Sequence, residues 1–115
     1  MKILNTGHVA VTQGNADLFE DFEDGGEMWT GEGTRERRVH IAFERAFSAP
    51  PSVHCALSLW DVDYSTNMRG DVDVDKITPK GFEIVFRTWG NTRVARARAS
   101  WMAIGTIIDD DRWEV

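Results

Sequence analysis

Cysteine is nearly absent: Cys55 is the only one in 115 residues. No intrachain disulfide can form, which excludes a disulfide-stapled secreted scaffold and any metal site built from several thiolates. Proline is scarce too, with three in the chain, and two of them, Pro50 and Pro51, are adjacent. No apolar run approaches the roughly 18 residues that a membrane-crossing helix needs. The opening MKILNTGHVAVTQG carries one lysine and no sustained apolar stretch, so it does not read as a signal peptide. The expected location is therefore cytoplasmic at synthesis, with release or association with a particle left open. Positive charge is in short supply as well: 13 Lys and Arg against 19 Asp and Glu give a net charge of −6. That balance is the wrong sign for a sequence-independent nucleic-acid binder or for docking on anionic lipid.

What is present is alternation. In RRVHIAFERAF, Val39, Ile41, Phe43 and Phe47 fall on one face and Arg38, His40 and Glu44 on the other, the pattern of a half-buried strand. Pro50 and Pro51 cannot continue a ladder and end it. VHCALSLWDV follows, with Val53, Cys55, Leu57 and Leu59 on one face and His54, Ser58, Trp60 and Val62 opposite. In RGDVDVDKI, Val72 and Val74 alternate with aspartates. In FEIVFRTW, Phe82, Ile84 and Phe86 oppose Glu83, Arg87 and Trp89. RVARARASWMAIG is the last strand, with Ala95, Ala97, Ala99 and Trp101 on one side. A sixth strand is expected near His8–Gln13. Turns such as DYSTN, TPKG and Gly90-Asn91 separate the runs, and no segment reads as a helix. Short strands between frequent turns indicate an all-β, six-stranded antiparallel sandwich. Residues 17–36 carry eight acids and a single base, Arg35. They read as a long, solvated acidic loop or, alternatively, as a loop whose tip joins a site.

Enzyme chemistry finds little footing. DVDVD lacks the central glycine and the terminal glutamate of a calcium loop; its acids are the wet face of a strand. His8, His40 and His54 show no ligand spacing, so no metal is expected. His54 and Cys55 are neighbours in sequence and point to opposite faces of a strand, which denies Cys55 an imidazole base. Asp61 and Asp63 are a candidate carboxylate pair for glycoside hydrolysis, but nothing in so short a chain builds a cleft around them. No catalytic residue and no cofactor is expected.

FRTWGNTRVA, residues 86–95, is the unusual stretch. A strand runs into Trp89, turns at Gly90-Asn91 and returns rich in arginine. An indole at a corner, with Arg69 emerging from a polar turn, suits a sugar: the ring C–H face packs on the indole and hydroxyls take charged hydrogen bonds. The competing reading keeps Trp89 in the core and pairs Arg69 with Asp61 or Asp71.

RVHIAFERAFSAPPSVHCALSLWDVDYSTNMR together with ITPKGFEIVFRTWGNTRVARARASWMAIG closely resembles the H-type lectin domain, the family of the snail agglutinins and the C-terminal domain of the discoidins. The resemblance covers about residues 34–105. It implies a trimer, or a hexamer of two trimers, with a galactose or N-acetylgalactosamine site in clefts between protomers and with no metal or cofactor. It places Thr30 and Glu32, in WTGEG, on the sugar-binding loop. It makes Arg69 the arginine of an N-x-R motif that begins at Asn67, and it makes Trp89 and Gly90 the corner that a neighbouring chain supplies. Three positions depart from the family pattern: Glu32 where aspartate is frequent, Gly90 where histidine is frequent and Ala95 where tyrosine is frequent. The chain thus divides into 1–36, an N-terminal strand and acidic loop within the same domain; 37–105, the lectin-like core; and 106–115, a C-terminal tail. The reading that follows is a lectin module for cell-surface glycans. The alternative is an assembly module of a phage-like tail fibre or spike, with other components of the particle as partners and a degenerate sugar site.

Overall fold

The alternation becomes six antiparallel strands in a computed structural model that describes residues 1–4 and 8–108. In chain order they are β1 (Val9–Phe19), β2 (Arg35–Ala42), β3 (Ser52–Val62), β4 (Asp71–Thr78), β5 (Gly81–Thr88) and β6 (Val94–Thr106). They form two three-stranded sheets, ordered β1-β6-β3 and β2-β5-β4, stacked face to face. β1 is several residues longer than expected and pairs with β6 from Val9↔Thr106 onward, so the N-terminal segment is an edge strand of the sandwich. Of the C-terminal tail, residues 109–115 lie outside the described residues.

The two central strands fill the core by contrast of size. β5 sends in Phe82, Ile84 and Phe86, all fully buried; β6 answers with Ala97, Ala99 and Ala103. Large rings facing small side chains interdigitate without strain. Phe86 meets Phe19 with ring centroids 5.3 Å apart and Trp60 at 5.6 Å, and Phe82 meets Trp101 edge-on at 5.4 Å.

Three features differ from the sequence pattern. Trp60 and Val62 pack against the core rather than facing outward. A bulge between Leu57 and Leu59, where β3 pairs with β6, shifts the register by one residue and exchanges inward for outward positions downstream. Second, β2 stops at Ala42, and Phe47 reaches the core from the following loop, edge-on to Phe43 at 5.1 Å. Third, the acidic segment contains two single-turn helices, α1 (Asp21–Asp24) and α2 (Glu27–Thr30), and is not wholly solvated. Asp21 is 3% exposed. It accepts the Met28 N–H at 2.9 Å and pairs with Arg37, also at 2.9 Å. Met28, within α2, is completely buried. A buried carboxylate satisfied by a cation and an amide fixes the entry to α2 instead of opposing folding. No helix among the described residues is long and apolar enough to cross a membrane.

Candidate functional site

Three connections meet at one end of the sandwich: 31–34 between α2 and β2, 63–70 between β3 and β4, and 89–93 between β5 and β6. Backbone chemistry locks them together. Gly33 and Gly90 both take the left-handed conformation (φ 78° and 68°), which glycine adopts at no steric cost. The Gly33 N–H donates to the Gly90 carbonyl at 2.9 Å. Arg35, 5% exposed, reaches under this junction. Its Nε donates to Gly33 O at 2.9 Å, Nη1 to Glu27 O at 3.1 Å and Met28 O at 3.3 Å, and Nη2 to Gly90 O at 3.2 Å. Among the described residues no carboxylate pairs with it. The charge is solvated by carbonyls, and the loop bearing Glu32 is tied to the corner bearing Trp89.

The 63–70 turn is fastened to the same corner. Asn67 donates through Nδ2 to Asn91 Oδ1 at 3.0 Å. The Arg69 N–H donates to Thr92 Oγ1 at 3.1 Å, and Thr88 Oγ1 donates to the Arg69 carbonyl at 2.6 Å. Thr88 and Thr92 are both fully buried, so the two hydroxyls anchor the exposed Arg69 backbone to the core side of the corner. Asp63 closes the turn: its Oδ1 accepts the Ser65 N–H at 2.9 Å and the Ser65 hydroxyl at 2.8 Å, while Oδ2 lies 3.3 Å from Arg93 Nη1. Those donors, Ser65 first and the Arg93 charge after it, hold the Asp63 carboxyl below the ordinary aspartate range. Arg93 in turn donates to Trp29 O at 2.9 Å and lies over the Trp29 ring, 4.2 Å from its centroid.

An open depression of about 460 Å³ results, walled by Thr30, Glu32, Thr66, Asn91 and Arg93. Of the residues singled out from the sequence, Thr30 and Glu32 line it. Asn67 and Gly90 adjoin it through the Asn67–Asn91 bond and the Gly33–Gly90 bond. Arg69 stands next to Gly90: a Cβ at Gly90 would lie 4.0 Å from Arg69 Cδ. Arg69 is exposed and pairs with neither expected aspartate, because Asp61 takes Arg96 at 3.2 Å and Asp71 takes Arg87 at 3.8 Å. Trp89 is 40% exposed and its indole does not line the depression of its own chain. The pattern missed Asn91, Arg35 and the Arg93–Trp29 stack. The signal for the first two is local: Asn91 follows the corner glycine, and Arg35 follows a G-E-G connection in which Gly31 leaves room for it, since a Cβ there would lie 3.0 Å from Arg35 Cδ.

On the outer face of β1-β6-β3, His54 and Arg96 are exposed as expected, and Cys55 points inward. Burial, followed by the charges of Asp73 and Asp71, pushes the Cys55 thiol up, away from the nucleophilic thiolate. Arg96 finds its carboxylate in Asp61. The Arg98 Nε is buried without a hydrogen-bond partner among the described residues. No cluster of three potential metal ligands occurs among the described residues.

Comparison with known proteins agrees with this architecture. The H-type lectin domain model matches residues 38–104. A Fuscovulum blasticum protein named ATP synthase subunits region ORF 7 is 53% identical over 107 residues, 93% of each chain. A discoidin-1 chain of Dictyostelium discoideum is 36% identical over 95 residues, 82% of this chain and 37% of the discoidin. The solved structure of discoidin II from the same organism superposes with a TM-score of 0.76 at 24% identity, covering 91% of this chain and 40% of that one. The chain thus spans well under half of the discoidins it matches. Because the matched segment holds β3, β4, β5, nearly all of β6, most of β2 and two of the three converging connections, the protein belongs to the H-type lectin domain family.

Proposed function

We propose that the protein is a carbohydrate-binding module that recognises galactose- or N-acetylgalactosamine-like sugars of cell-surface glycans at clefts between the protomers of a trimer. The observation that carries this reading is the Glu32 depression beside an exposed Arg69 that has no carboxylate partner among the described residues. Family membership supports it. Glu32 accepts from ring hydroxyls, Arg69 donates to them, and Trp89 of the adjoining protomer covers the apolar face of the ring. That Trp89 is exposed yet absent from its own chain's depression favours a neighbour's ring as its target. The outer face of β1-β6-β3 supports a contact between protomers, since Val11 is 59% and Met102 40% exposed there and, farther along β6, the Arg98 Nε has no partner among the described residues. Three sites on one particle convert weak single contacts into useful avidity.

Calorimetry against a glycan selected on an array tests the site. Arg69→Ala removes charged hydrogen bonds of about 1.5–3 kcal/mol each and is expected to weaken binding tenfold or more. Glu32→Gln retains the shape and removes the charge, and is expected to weaken binding too. A glycan that binds equally well to both variants places the site elsewhere. Absence of any binding at millimolar glycan favours an assembly module instead. Light scattering tests the trimer; a strict monomer at micromolar concentration removes the cleft between protomers.

A further inference from the structure

The wall of the Glu32 depression formed by Arg93 has a second side. The Arg93 guanidinium lies 4.2 Å over the Trp29 ring, and Trp29 belongs to a separate open groove of about 350 Å³ with Phe22, Val62, Tyr64 and Ala95. Phe22 stands edge-on to Trp29 with centroids 5.0 Å apart. Phe22 is 60% exposed and Tyr64 is 91% exposed. Folding does not hold the Tyr64 ring there, since it buries almost nothing, and Phe22 leaves more than half of its surface open. Exposed aromatic clusters beside a polar groove mark binding surfaces. Thr30 and Trp29 are consecutive in α2, so one short element presents a polar side to the first depression and an aromatic side to the second.

We infer that the aromatic groove is a subsite for a second, neutral sugar ring, so that the natural ligand is an oligosaccharide lying across the Arg93–Trp29 stack. This rests on the carbohydrate reading of the Glu32 depression. The chemistry of the groove selects its occupant. Phe22, Trp29 and Tyr64 offer apolar faces for ring C–H groups, and Ala95, 9% exposed, forms a small floor. The charges at the margin are acidic in excess. Asp61 is balanced by Arg96 and Asp63 by Arg93, but Glu20 and Glu23, which line the adjoining depression with Phe22, have no cation among the described residues. A sialic or uronic acid is repelled there, and a neutral hexose or N-acetylhexosamine is not.

The test uses the whole chain and an array of neutral and acidic mono- and oligosaccharides, followed by calorimetry with the best monosaccharide and the best neutral oligosaccharide containing it. The oligosaccharide is expected to bind at least fivefold more tightly. Tyr64→Ala and Phe22→Ala are expected to remove that advantage while leaving monosaccharide affinity within twofold; Arg69→Ala weakens both ligands. The sialylated form of the same oligosaccharide is expected to gain nothing over the monosaccharide. Unchanged oligosaccharide affinity in Tyr64→Ala overturns the subsite and leaves the primary site standing. So does equal weakening of both ligands, or a changed oligomeric state in that variant, which would make the groove a contact between copies. If no glycan binds the wild-type protein, or Arg69→Ala has no effect on the monosaccharide, the primary reading falls and the subsite with it.

Discussion

Replacing Arg35 with methionine isolates what a buried arginine does for the candidate site. The stem's volume is roughly kept, while four hydrogen bonds to carbonyls disappear. Two of those carbonyls keep a donor: Glu27 O retains the Gly31 N–H at 2.7 Å, and Gly90 O retains the Gly33 N–H at 2.9 Å. Gly33 O lies on an exposed residue, where water can replace the lost donor. Met28 O belongs to a fully buried residue and has no other donor among the described residues. An orphaned buried carbonyl costs about 1–3 kcal/mol, and an exposed one less. Removing a buried guanidinium without a carboxylate partner offsets part of that loss. The net expectation is a destabilisation of about 1–3 kcal/mol, a shift of roughly 1 M in the urea midpoint at an ordinary slope. Arg35→Lys should fall between the two, because an ammonium cannot span both loops. Hydrogen exchange at the Gly33 amide should accelerate in the methionine variant, as the junction with Gly90 loosens. An unchanged midpoint together with unchanged Gly33 protection would falsify the claim that Arg35 holds the Glu32 loop to the Trp89 corner.

Further predictions concern the turn, the thiol and the core. The Asp63 carboxyl is held below its ordinary value, so its stabilisation is complete above about pH 3.9, the unfolded value, and is lost as pH falls through the lower folded value. An NMR titration should therefore give Asp63 a midpoint below about 3.9 by the same reference, and Asp63→Asn should remove that part of the acid dependence. A midpoint above the ordinary aspartate range sinks this account. The Cys55 thiol, raised by burial, should alkylate with iodoacetamide at neutral pH more slowly than an unfolded peptide thiol, and equally fast in urea. Equal rates without urea would show the thiol to be open. Phe86 is fully buried between Phe19 and Trp60, so Phe86→Ala should cost about 3–5 kcal/mol. At about 4–8 °C per kcal/mol for a domain near this size, the melting temperature should drop by roughly 12 °C or more. A drop of only a few degrees would mean that the core closes over the gap.

The fold was legible wherever the chemistry is local. Val72 and Val74 against three aspartates, or Phe82, Ile84 and Phe86 against Glu83 and Arg87, state a strand and its inward face within eight residues, and both strands formed with those faces. The corner was legible for the same reason: Gly90 takes the positive φ that a tight turn requires, wherever the chain lies. Trp60 and Val62 were misassigned because their direction depends on the bulge near Leu57, and that bulge exists only in the pairing of β3 with β6, some 40 residues away.

By itself the sequence determined an acidic all-β sandwich, its family, and the loops from which a site would be built, because period, turn chemistry and motif spacing are properties of neighbouring residues. The tertiary structure decided which charges are free and which are spent. Asp21, one acid among eight in its segment, is buried by Arg37 and the Met28 amide. Asp61 and Asp71 are taken by Arg96 and Arg87, which leaves Arg69 without either of the carboxylates expected for it. Arg35, the lone base of the acidic segment, turns inward to carbonyls from three separate stretches of chain. An ion pair or a hydrogen bond needs its partners within about 3–4 Å, and only the register of two sheets and the packing of α2 set those distances.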